Sequence, residues 1–148
     1  MLKKIFYLFF PIMIGSIIGF VINKYIDYSI LIKPPLSPPK LLFPIMWSII
    51  YLLLGISYYL YKKNSIDNKK INYIYYIQLI VNYLWSFIFF VWKLRFVAII
   101  WIIILLILVI NLYRLYYSKY KISAYLLIPY IIWTMFATYL TIGIYILN

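Results

Sequence analysis

The chain has 148 residues, 68% of them hydrophobic and 11% charged, with a formal net charge of +12 and no cysteine or histidine. Soluble domains carry roughly a quarter charged residues, so this chain cannot cover a water-facing exterior and must face lipid. Disulfides, thiolate metal sites, cysteine nucleophiles and histidine acid–base work are excluded. The two acids, Asp27 and Asp67, lie in different connections, which leaves no paired-carboxylate site. The basic residues fall in short clusters between apolar runs, as charges flanking membrane spans do. Nucleic acid would need one continuous basic face. The expected partner at this point is therefore the lipid bilayer, with no nucleic acid, metal or resident cofactor.

The opening MLKKIFYLFFPIMIGSIIGF has a basic start and an apolar middle. Its apolar run is too long for a signal peptide and no small-x-small site follows, so it reads as a retained first span. Charge-free windows fall at Ile5–Asn23, Leu41–Tyr61, Ile71–Trp92, Phe96–Tyr113 and Ile122–Asn148. Each is about the ~20 residues that a helix needs to cross ~30 Å of hydrocarbon. Runs such as IIWIIILLILVI lack the alternation of a barrel strand, so the spans are helices. The chain thus reads as an all-α membrane protein, a single five-helix transmembrane bundle over 1–148. Its spans are near 5–23, 41–61, 71–92, 96–113 and 122–147, with one long connection at 24–40.

Five spans put the termini on opposite sides. Nine basic residues share the side of Lys3 and Lys4, and five share the side of Lys24, so in a bacterial cell membrane the N-terminus is predicted inside. The connections at 62–70, 93–95 and 117–121 are short and predict antiparallel, packed neighbours.

In the first span Gly15 and Gly19 form a GxxxG, a packing or self-association face. The long connection contains KPPLSPPK, in which four prolines each fix φ. Such a segment has little entropy to lose on closing over a site, and it also suits a plain rigid spacer. Lys33, Pro34 and Lys40 would stand at its rim. In the second span Trp47, Tyr51 and Gly55 share one helix face; Trp47 fits either an interfacial belt or a site. Gln78, Asn82, Trp85 and Phe89 form a stripe in the third span. An unpartnered amide in hydrocarbon costs a few kcal/mol, so the stripe should face the bundle interior. There the amides would serve either interhelical hydrogen bonding or a ligand. Lys93 and Arg95 read as interfacial anchors, and Trp92 and Trp101 as belt or packing residues. In the last span Pro129 permits a bend, and Trp133, Ala137 and Thr141 line one face, where the small residues leave room beside the indole or pack a neighbouring helix.

These motifs in order resemble the translocator proteins, also called tryptophan-rich sensory proteins and formerly peripheral benzodiazepine receptors. The family's proline loop is similar to Leu31, Lys33, Pro34, Pro38 and Pro39. Its second-helix pattern is similar to WSIIYLLLGISYYL from Trp47, its third to QLIVNYLWSFIFF from Gln78, and its last to AYLLIPYIIWTMFATYLT through Pro129 and Trp133. The chain departs from that pattern at Leu36, where the family has a tryptophan, at Asp27-Tyr28 for a Trp-Tyr pair, at Thr141 for an asparagine, and at Trp101 for an acid.

The resemblance implies a five-helix bundle, often a homodimer, that binds porphyrins and drug-like aromatic molecules beneath the first loop. It points to Trp47, Tyr51, Asn82, Trp85, Phe89, Trp133 and Ala137 as ligand-binding positions, with Lys33 and Pro34 at the rim. It also implies an alternative, light-dependent and oxygen-requiring porphyrin degradation, in which Trp47 and Trp133 would be the catalytic candidates. A membrane scaffold acting through the Gly15/Gly19 face is a further alternative from the residues themselves.

Overall fold

Backbone amides in hydrocarbon have only one another as partners, and this chain is helical over most of its length. The computed structural model describes all residues, Met1–Asn148. Its helices are α1 (Leu2–Ile22), α2 (Leu42–Asn64), α3 (Lys69–Ser86), α4 (Arg95–Lys119), α5 (Lys121–Tyr125) and α6 (Ile128–Leu147). A π-helical turn, Phe87–Val91, prolongs α3, and α5 with α6 forms the last span, giving five spans long and apolar enough to cross a membrane.

The helices run beyond the charge-free windows. α2 continues through Lys62 and Lys63, α3 starts at Lys69, and α4 ends at Lys119. Lysine stems are apolar enough to lie along a helix while the ammonium reaches water, and cations favour helix C-termini. Asn68 starts α3 by accepting from the amides of Lys70 and Ile71 at 2.9 and 3.3 Å. Lys62 donates to Asp67 at 2.6 Å, and this contact holds the Asp67 carboxyl below the usual carboxylate range. Its stabilisation is complete at neutral pH and fades as acid titrates Asp67 through that lowered range. With the Asp67 side chain 61% exposed it stays below about 1 kcal/mol.

The spans close into a ring in the order α1, α2, α5–α6, α4, α3. The short 65–68 connection does not bring α2 and α3 into close backbone contact, because tyrosine rings stand between them. Tyr58 and Tyr75 stack there at 4.0 Å and 5°. The α1–α2 pair is the reverse case: a Cβ on Gly55 would lie 1.9 Å from the Leu8 carbonyl oxygen, so the two backbones touch where no side chain intervenes. One step along the seam Gly15 faces the Tyr51 ring, 2.4 Å from where its own Cβ would be, whereas Gly19 has nothing within 4 Å. The GxxxG of α1 is thus turned toward α2 of the same chain.

Because backbone lies opposite Gly55, Gly55→Ala should overpack the seam and destabilise the protein by about 1–3 kcal/mol. Gly19→Ala should leave thermal unfolding in detergent unchanged or raise its midpoint slightly, since the added methyl meets open space and favours helix.

A candidate ligand cavity beneath the first connection

Four aromatic residues from three helices meet in the half of the bundle that lies under the long connection. Trp47 stacks on Tyr51 at 5.8 Å and 24°, which their i, i+4 spacing on α2 allows. Its ring lies 6.4 Å from Trp85 of α3 and 6.3 Å, edge to face, from Trp133 of α6. On the α1 side of this group is a cavity of about 590 Å³. Trp47, Tyr51 and Trp85 line it together with Phe43, Tyr28 and Phe90; α1 supplies Gly15, Ser16, Ile18, Gly19 and Ile22, and Asn23 follows just past its end. Lys40 is the charged residue of its lining, and its ammonium makes no hydrogen bond or ion pair within the chain.

Beneath the aromatics runs a buried polar chain. Tyr51 donates to Asn82 Oδ1 at 2.7 Å, Asn82 Nδ2 donates to the Tyr130 hydroxyl at 2.7 Å, and Tyr130 donates to Gln78 Oε1 at 2.8 Å. Gln78 is fully buried and Asn82 is 2% exposed, as the partition cost of an amide requires. Asn82 is therefore occupied on both amide atoms by α2 and α6 and acts as a tie between helices. The indole N–H groups of Trp85 and Trp133 are buried without an acceptor in the chain.

The connection above is pinned rather than draped. The Asp27 carboxylate meets the Arg95 guanidinium at 2.6 Å with both side chains largely buried, and Lys93 stands 3.8 Å away. Pro34 sits where a Cβ on Gly143 of α6 would be, at 2.5 Å. Tyr139 donates to the Pro35 carbonyl at 2.7 Å, and the Asn148 side chain pairs with both backbone groups of Ile32 at 3.0 and 2.8 Å. Inside the loop Tyr28 donates to the Pro38 carbonyl at 2.7 Å; burial pushes its phenol above the ordinary value, so it stays a neutral donor. Lys33 donates to the carbonyls of Tyr28 and Leu31, both at 3.0 Å, and so is spent on the loop's own backbone. The apex residue Leu36 has φ 66°, a left-handed conformation unusual for leucine.

Of the positions singled out by sequence, Trp47, Tyr51 and Trp85 reach the cavity. Trp133 stands behind Trp47, and Asn82 lies below Tyr51. Phe89 and Ala137 border a separate gap of about 20 Å³ that also touches Trp85. Pro34 faces α6, and Lys40 rather than Lys33 is at the rim. Sequence reasoning missed the α1 wall, the Tyr130 hydroxyl and the Asp27–Arg95 pair. Their signals were the small and polar Gly15, Ser16, Gly19 and Asn23 in an otherwise bulky helix, a tyrosine three residues before Trp133, and a lone acid on a basic side.

A ring of five spans around a cavity roofed by a pinned proline-rich connection defines a multi-pass membrane protein with an intramembrane pocket. The sequence model of the TspO/MBR family matches residues 7–147, and the chain belongs to that family. It is 36% identical over 119 residues to the tryptophan-rich protein TspO of Archaeoglobus fulgidus, covering 78% of this chain and 76% of that one. Against the protein of the same name from Chlorobaculum tepidum it is 31% identical over 126 residues, 82% and 78% of the two chains. With that from Bacillus cereus it shares 29% over 145 residues, 97% and 94% of the two chains.

Two outcomes test this geometry. Asp27→Ala and Arg95→Ala should each destabilise the protein and expose the connection to protease, and the double variant should lose less than the sum, with a coupling of about 1–3 kcal/mol. Asn82→Leu strands the Tyr51 hydroxyl, while Tyr130 keeps Gln78 as its acceptor, and should lower thermal stability by about 1–3 kcal/mol.

Proposed function

We propose that this protein is a membrane receptor or carrier for porphyrin-like tetrapyrroles and other flat hydrophobic ligands, bound in the cavity beneath the first connection. The observation that carries the reading is the cavity itself. Its 590 Å³ falls within the roughly 300–1,000 Å³ usual for small-molecule sites, and indole and phenol rings form its wall. Flat π faces suit a planar macrocycle, and each such contact adds about 0.5–1.5 kcal/mol beyond area burial. Lys40 at the rim suits a propionate. The pinned connection supports the reading because a lid already ordered loses little entropy when a ligand binds. In this reading the host is a bacterial cell membrane with the N-terminus inside, following the bias of basic residues, and the protein self-associates as a homodimer, which crosslinking in vesicles would test.

Titration with protoporphyrin, followed by tryptophan quenching, tests the ligand. Trp47→Phe should weaken binding by about two- to tenfold, and the Trp47→Phe/Trp133→Phe pair by more. Unchanged affinity and quenching in the double variant would remove the site from consideration.

A second reading is light-driven, oxygen-dependent porphyrin breakdown, favoured by the placement of Trp47 between Trp85 and Trp133 at 6.4 and 6.3 Å. With no histidine, cysteine or nearby acid, indole oxidation by the excited porphyrin is the contribution these residues can make. Under illumination the porphyrin absorption bands should decay faster with the wild-type protein than with the double tryptophan variant; equal decay discards this reading.

A further inference from the structure

We infer that ligands reach this cavity sideways, from the bilayer leaflet on the side of the long connection, through the seam between α1 and α2, and that the site selects membrane-dissolved amphiphiles with an anionic group. The inference rests on the ligand-binding reading of the cavity and adds its route and the charge class of its occupant. Two sets of residues line the cavity. Ile22, Tyr28, Tyr51 and Trp85 are buried and form its depth. Ser16 and Gly19 on α1, Asn23 just after it, and Pro44 and Ser48 on α2 line it and are exposed as well, so they are lips of an opening that continues past the exposed Lys40 and Leu41 at its loop end. These lips carry small side chains.

Two other approaches are obstructed. Below the opening α1 and α2 touch at Gly55 and Gly15. Above, the connection is tied to α4 through Asp27 and Arg95 and to α6 through Pro34 and Asn148. Gly19 lies about one helical turn, roughly 5.4 Å, below Asn23, so the lower part of the opening faces acyl chains. The free ammonium of Lys40 stands at its loop end, where the headgroups of a surrounding leaflet would lie. A molecule lying in the leaflet with its apolar body down and its carboxylate up is already oriented to slide in.

Gly19 offers a clean plug, because a side chain added there meets no atom within 4 Å. The test uses wild-type protein, Gly19→Phe, Ser48→Phe and Lys40→Gln, each in lipid vesicles. Association and release are followed for two probes: protoporphyrin by tryptophan quenching, and parinaric acid, a fluorescent fatty acid, by energy transfer from tryptophan. Both lip variants should slow association and release together by about tenfold or more. Lys40→Gln should weaken both probes about two- to fivefold, the range of an exposed ion pair. Rates unchanged in both lip variants would overturn the lateral route, as would an affinity loss carried wholly by faster release. Failure of parinaric acid to bind wild-type protein, or indifference of both probes to Lys40→Gln, would overturn the anionic-amphiphile class. If parinaric acid binds with slowed rates in the lip variants while protoporphyrin does not bind at all, the porphyrin reading falls and the route stands; if neither probe binds, both fall.

Discussion

The architecture depends on the contact between the Leu8 carbonyl of α1 and the bare Cα of Gly55 on α2. Within a bilayer, helices gain little from leaving lipid and associate through close van der Waals fit. A glycine at the crossing lets the backbones meet and makes a pivot. One step along the seam Gly15 admits the Tyr51 ring, and beyond it Gly19 admits nothing. The pair therefore splays from a tight crossing to a gap, and the cavity is that gap. Tyr51 belongs to both regimes, because its ring is clamped by Gly15 on one side and Trp47 on the other while its hydroxyl is anchored on Asn82.

The roof and the wall are mechanically continuous. Arg95 receives Asp27 of the connection and lies 4.3 Å above the Phe89 ring, which stacks on Trp85 at 5.1 Å and 18°. Trp85 lines the cavity beside Trp47. A charged pin at the membrane surface thus rests on the aromatic stack that shapes the pocket. Prolines set the local stiffness of the connection, and the ion pair with the α6 contacts sets where that stiff segment sits.

Much of the fold was legible because the bilayer imposes simple rules. Charge-free windows of span length gave the five crossings, and the inward face of Gln78, Asn82 and Trp85 followed from the cost of stranding an amide in hydrocarbon. What spacing cannot reveal is who meets an inward side chain. Asn82 was readable as buried but not as shared between Tyr51 and Tyr130, since those hydroxyls arrive from α2 and α6. Asp27 and Arg95 are 68 positions apart, and nothing local couples them. The share of α1 in the cavity was hidden because a glycine that packs and a glycine that leaves space look alike in sequence; Gly15 and Gly19 are one of each. The short link does pack α2 with α3, but through wide tyrosine rings rather than backbone against backbone.

The two halves of the bundle differ in kind. Away from the connection the interior is filled by Tyr58, Tyr61, Tyr75 and Tyr116, each no more than 2% exposed. Tyr58 and Tyr75 lie flat on each other, and Tyr61 and Tyr116 meet at 5.3 Å. The molecule is consequently a blind vessel, hollow toward one face and solid toward the other. In this conformation no path runs through the bundle from face to face, and opening one would require the phenol floor to come apart.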